Sequence, residues 1–105
     1  MRFTANHDVA IGVENLEKSM KFNEETLGLL LIETGAGRAV YDAGHLTLYI
    51  VEGAPYPPVP SFTVECLSAA KRRLLEGGCK IVVERDNSLC FRDPSDAVFD
   101  ASESR

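Results

Sequence analysis

The chain lacks a CxxC pair, and its three cysteines, at 66, 79 and 90, are an odd number that cannot all be bridged within one chain. A disulfide framework is therefore not the organising device, and reduced thiols of a cytoplasmic protein are the simpler reading. The opening MRFTANHD has no apolar h-region, and no hydrophobic run approaches membrane-spanning length. The expectation is a soluble protein without membrane contact. An excess of positive charge is missing too. The formal net charge is −5 and the pI near 4.9, which disfavours a nucleic-acid partner and suits a cationic ligand. At 105 residues, 45% of them apolar, one domain can bury a core unaided.

What the chain does have is a repeat. VENLEKSMKFNEETLGLLLIE (13–33) follows nearly the same plan as VECLSAAKRRLLEGGCKIVVE (64–84). Val13-Glu14-x-Leu16 returns as Val64-Glu65-x-Leu67, and Leu30-Leu31-Ile32-Glu33 returns as Ile81-Val82-Val83-Glu84, an offset of 51. One supersecondary unit is used twice. In the first copy DVAIGV (8–13) reads as a strand. Glu14 and Asn15 open a helix whose Leu16, Met20, Asn23 and Leu27 share one face. Gly28 stops that helix. LLLIET (29–34) reads as a buried strand, GAG (35–37) as a turn, and RAVYDA (38–43) and HLTLYIVE (45–52) as two further strands.

The second copy runs SFTVE, a helix over 66–76 stopped by Gly77-Gly78, then KIVVE, SLCFR and AVFDAS, with Asp93-Pro94-Ser95-Asp96 turning the last hairpin. The predicted fold class is α+β, with two βαβββ modules whose curved mixed sheets enclose a cleft. Module one spans 7–52 and module two 61–105. GAPYPPVP (53–60), with four prolines, reads as an extended linker rather than an element. Val9, Ile11, Val13, Phe62 and Val64 should face the helices. Asp8, Ala10, Gly12, Ser61 and Thr63 should face the other way, where small and polar residues leave room for a ligand.

These segments, together with PSFTVECLSAAKRRLLEGG and the closing FRDPSDAVFDASE, resemble the vicinal oxygen chelate superfamily. That group includes glyoxalases, bleomycin-resistance proteins, fosfomycin-resistance enzymes and extradiol dioxygenases. The resemblance covers nearly the whole chain. It implies paired βαβββ modules, often a homodimer, and a divalent metal held by His and Glu residues on the first and last strands of each module. Carried over residue by residue, those positions are Asp8, Tyr49, Val59 and Asp100.

A catalytic centre of this kind needs about three protein donors with open positions left for substrate. Val59 donates nothing, and a phenol is a poor ligand unless ionised. A one-residue slip would bring His7 inward in place of Asp8 and still leave only two good donors. The expectation is therefore no metal site and no cofactor, with a weakly bound divalent ion as the alternative.

The candidate ligand-binding set is Asp8, Tyr49, Ser61, Asp100, and the third-strand repeat mates Tyr41 and Arg92. Each also has a plainer reading as a solvated or core residue. His7 and His45 read as solvent histidines and Cys90 as core. Cys66 begins a helix, and Asn23 interrupts an apolar stripe. Three functions compete: a metal-free binding protein of the bleomycin-resistance kind for a small cationic or polar molecule; a glyoxalase- or dioxygenase-type enzyme with a degenerate site; and an interaction module. The first is favoured, which leans against enzyme activity and leaves a glyoxalase- or dioxygenase-type enzyme as the alternative. Exposed strand edges and singly covered sheets further predict a symmetric homodimer. Light scattering at micromolar concentration tests this, and a monomer mass would count against it.

Overall fold

In a computed structural model the described residues are 2–104. The strands are β1 (Thr4–Val13), β2 (Leu30–Gly35), β3 (Arg38–Asp42), β4 (Thr47–Glu52), β5 (Tyr56–Val64), β6 (Lys80–Glu84), β7 (Ser88–Arg92) and β8 (Val98–Glu103). The helices are α1 (Leu16–Lys21), continued by a π-helical turn (Phe22–Thr26), and α2 (Leu67–Glu76). Contacts divide the chain into two units. One is His7–Pro58; the other joins the segment ending at Asn6 to the chain from Val59 onward. The first orders its strands β2-β3-β4-β1 and the second β6-β7-β8-β5. Each unit is thus βαβββ, with its first and last strands parallel and the other neighbours antiparallel.

The repeat extends to single hydrogen bonds. Ala10 lies opposite Tyr49 as Ser61 lies opposite Asp100, and Val13 opposite Glu52 as Val64 opposite Glu103. The Glu52 carboxylate accepts the Leu16 amide at 2.9 Å, and Glu103 accepts the Leu67 amide at 2.9 Å. Each carboxylate satisfies an amide that the first helical turn leaves without a partner. Asn15 adds a side-chain cap to α1, accepting the Lys18 amide at 3.0 Å. Cys66, at the matching place before α2, makes no such bond.

The helix-facing sides of the sheets hold the cores. In the first unit Ala39, Tyr41 and Ile50 are buried against Ile11, Val13, Leu16, Met20 and Leu31. In the second, Leu74, Leu89, Phe91 and Ala101 pack with Phe3, Leu67, Ile81 and Phe99. The expected strand phase holds: Val9 pairs with Leu48 and Phe62 with Ala101, on the core sides.

Four expectations change. The offset is 51 for the first and last strands but 50 for the middle pair, because Leu30–Asp42 corresponds to Lys80–Arg92. Sixteen residues separate Val13 from Leu30 but only fifteen separate Val64 from Lys80. The extra residue is absorbed in the π-turn, where the Leu27 amide reaches back five residues to the Phe22 carbonyl. The wider turn rotates the residues after it, so Leu27 leaves the predicted apolar face and is 53% exposed. Asn23 stays buried, with its amide on the Ser19 carbonyl at 2.8 Å.

Second, β2 is not buried. It is the outer strand of its unit, with Leu30 and Ile32 more than half exposed. A bulge at Ile32, matched at Val82 in β6, breaks the pairing register of both outer strands. Third, Tyr56–Pro60 of the expected linker forms the start of β5. Its three prolines have φ suited to extended chain, and the ladder with β8 begins only at Ser61, after the last of them. Fourth, β1 begins at Thr4 rather than at residue 8, and His7 within it has φ 66°.

Gly12 lies against the Tyr56 ring, and a Cβ there would also sit 2.8 Å from the Ala54 carbonyl oxygen. Gly12→Ala should cost about 1–3 kcal/mol of unfolding free energy, since backbone and ring must both move. Glu52→Ala and Glu103→Ala should each cost about 1 kcal/mol through the lost cap. Urea titration of the three variants checks the order.

Candidate functional site

The polar sheet faces lie opposite the cores, one in each unit. In the first unit, pairing places Glu33, Val40, Tyr49 and Ala10 in one row across β2, β3, β4 and β1. Directly opposed residues point to the same side of a sheet, so Glu33 and Tyr49 share a face. Arg38 joins them through a 3.0 Å ion pair with Glu33. Asp8 lies one step along β1 and faces Thr47. Burial pushes the Asp8 carboxyl above its usual range, opposed by the charge of His7. Burial also raises the Tyr49 phenol, reinforced by Asp8 and opposed by Arg38. The Tyr49 oxygen is thereby kept protonated, a donor rather than an anionic ligand.

In the second unit the matching row is Val83, Cys90, Asp100 and Ser61. Here a short relay forms. The Asn6 side-chain amide donates to the Ser61 hydroxyl at 2.9 Å, and Ser61 donates to Asp100 at 3.3 Å. Ser102 donates to the same Asp100 oxygen at 3.4 Å. The two hydroxyls hold the Asp100 carboxyl group in one orientation. Cys90 is half-buried on this face, not in the core as expected, and burial with the nearby Asp100 raises its thiol.

Asp8 and Tyr49 thus come together in one unit, and Ser61 and Asp100 in the other. Tyr41 does not join them. It lies between Leu31 and Leu48 on the core side, is fully buried, and donates its hydroxyl to Glu24 at 2.8 Å. Nor are Tyr41 and Arg92 mates: at the true offset of 50, Tyr41 matches Phe91 and Arg92 matches Asp42. Arg92 is exposed, lies on the Asp100 side of its strand, and donates to the Asp96 carbonyl at 3.1 Å. His7 and His45 are exposed. The exposed Cys66 thiol is pulled down, chiefly by its hydrogen bond with the Ser68 hydroxyl.

Sequence reading missed Glu33, Arg38, Asn6 and Ser102. Simple alternation would put Glu33 on the core side with Leu31; the bulge at Ile32 reverses it. Arg38 was legible once Tyr41 was assigned to the core, because alternate residues of β3 face opposite ways.

The architecture has counterparts among solved structures. A methylmalonyl-CoA epimerase from Mycobacterium tuberculosis matches 98% of this chain and 89% of its own at TM-score 0.70 and 18% identity. Homoprotocatechuate 2,3-dioxygenase from Brevibacterium fuscum, in its complex with 3,4-dihydroxyphenylacetate, matches 97% of this chain and 37% of its own at TM-score 0.75 and 18% identity. This chain has the fold of these two proteins, which are members of the vicinal oxygen chelate superfamily. A hypothetical protein from Bacillus halodurans C-125 matches 100% of this chain and 96% of its own at TM-score 0.73 and 10% identity. No protein-family model and no curated protein sequence matches the chain. At such identities the likeness carries the fold and no residue roles.

The metal implied by the superfamily fold does not fit these residues. Its four positions present a carboxylate at Asp8, a phenol held protonated at Tyr49, a buried methyl-bearing side chain at Val59, and a carboxylate already bonded to serine at Asp100. Two carboxylates fall short of the donor count that a divalent centre requires. No helix among the described residues is long and apolar enough to cross a membrane.

The Tyr41 hydroxyl supplies a sharp test of the core assignment. Burial, then the Glu24 hydrogen bond, pushes its pKa up to about 12 from 10.0. The protonated form is favoured in the folded state. Its contribution is therefore complete below pH 10 and is lost as pH rises toward 12. Tyr41→Phe should be about 1 kcal/mol less stable at neutral pH. Thermal unfolding across this range should show the variant lacking the alkaline loss seen in the wild type.

Proposed function

We propose that this chain is a binding protein of the bleomycin-resistance kind, which takes up a small cationic or polar molecule without a metal. Its binding surfaces are the polar sheet faces, Asp8 and Tyr49 in the first unit and Ser61 and Asp100 in the second. The observation that carries this reading is the Asn6–Ser61–Asp100 relay. It fixes a charged acceptor beside small neighbours, where a cation can be met without reorganisation. The formal charge of −5 favours the same class of ligand. Three free cysteines accord with a cytoplasmic location.

A second reading rests on one observation, the raised carboxyl of Asp8. A carboxylate shifted toward neutrality is suited to general-base work, as in a lyase or isomerase of the same superfamily. Its activity would fall in Asp8→Asn while binding of the substrate persisted.

Purified protein, after incubation with Ni, Zn, Mn and Fe salts, should hold much less than one equivalent by elemental analysis. The triple change Asp8→His, Val59→His and Asp100→Glu should raise uptake. Tight stoichiometric metal in the wild type would overturn the reading. Against a panel of small organic cations followed by thermal shift, Asp8→Asn and Asp100→Asn should each weaken binding about three- to tenfold, less so at high salt.

A further inference from the structure

We propose that the ligand of the first unit is a flat aromatic cation held between the rings of Tyr49 and Tyr56, an inference that rests on the cation-binding function of that face. Both tyrosines belong to the unit His7–Pro58. Gly12 shares the polar side of β1 with Asp8 and Ala10. A Cβ at Gly12 would meet the Cδ2–Cε2 edge of the Tyr56 ring, so that ring stands on the polar side with an edge toward the strand. Tyr49 pairs with Ala10, which puts it two residues back along the ladder and one strand across from Gly12. That diagonal is roughly 7–8 Å. It is about twice the optimal carbon–carbon separation of about 3.5–4.0 Å, the gap that one flat ring fills between two others. Ala10 and Val51, the pairing partners of Tyr49 and Gly12, form the floor of this slot.

Charge decides between a neutral ring and a cationic one. The faces of both phenol rings are electron-rich and attract a cation, and Tyr56 stays 37% exposed although its ring covers Gly12. Asp8, Arg38 and Glu33 all act on the Tyr49 hydroxyl. Arg38 and Glu33 pair with each other at 3.0 Å on β3 and β2, which lie beyond β4 from β1. Asp8 is the carboxylate on the strand of the slot, two residues from Ala10 and on the same side of β1. A cation resting over Ala10 therefore meets Asp8 before it meets the guanidinium. The second module has no such slot. At the same register positions Thr63 replaces Gly12 and Asp100 replaces Tyr49.

The test is an NMR titration of the full chain with N-methylpyridinium. Benzyl alcohol serves as the uncharged flat ring and N,N-dimethylpiperidinium as the cation that is not flat. His7 is the competing cation beside Asp8, so the titration is run at about pH 8, where an ordinary imidazole is neutral. Amide shifts should cluster at Ala10, Gly12, Tyr49 and Val51, with a dissociation constant on the order of 1 mM for so small a ligand. Both comparison probes should bind about threefold or more weakly than N-methylpyridinium. Tyr56→Leu should weaken N-methylpyridinium about threefold or more, while Tyr56→Phe, which keeps the ring, should stay within about twofold of the wild type. Equal binding of the two cations, equal affinity of Tyr56→Leu and Tyr56→Phe, or shifts confined to Ser61, Asp100 and Ser102 would each overturn the slot and leave the broader cation reading standing. No shifts in either unit from either cation would overturn both. The comparison of probes needs only the wild-type chain, so it decides the matter whether or not Tyr56→Leu folds.

Discussion

A βαβββ unit closes only if its fourth strand returns to lie parallel beside the first. That pairing brings the chain back to the start of the helix it left three strands earlier. Here the return is secured at one point in each unit, where the last strand ends in a glutamate whose carboxylate takes the first helical amide. One contact thereby ties strand pairing to helix placement. The helix covers one sheet face, and the opposite face is left for polar side chains. The next backbone bond repeats as well, from Gly53 to the Val13 carbonyl and from Ser104 to that of Val64.

With the closure shared, the two units differ in what their free faces carry. The row Glu33-Val40-Tyr49-Ala10 becomes Val83-Cys90-Asp100-Ser61. The first is an aromatic flanked by an ion pair; the second is a carboxylate braced by hydroxyls. Neither row contains a histidine, and Glu33 in the first is paired with Arg38.

The single inserted residue shows how locally a repeat can diverge. It is absorbed within one wide helical turn, which exposes Leu27 and leaves Phe22 in the wall of a cavity. Offsetting it, the link between β3 and β4 is one residue shorter than that between β7 and β8, which restores the last strands to the offset of the first. The bulges at Ile32 and Val82 interrupt both outer strands, a device that weakens pairing with another chain through those edges.

The periodicity of the apolar residues determined by itself the two modules, the succession of elements in each and the core sides of β1 and β5, because burial demands a pattern that local spacing displays. The Asn15 cap, the Gly77 stop and the Asp93 turn were legible for the same reason: their chemistry lies within a few residues. Only the tertiary structure decided whether a strand is central or outer, as for β2, since that depends on neighbours distant in sequence. It also decided the facing of Tyr41, Glu33 and Cys90. A bulge or a π-turn shifts alternation by one residue, and nothing in composition marks where the chain takes that step. The strand formed by Tyr56–Pro60 belongs with these, because prolines fit a linker and an extended strand equally well and only the surrounding chain selects between them.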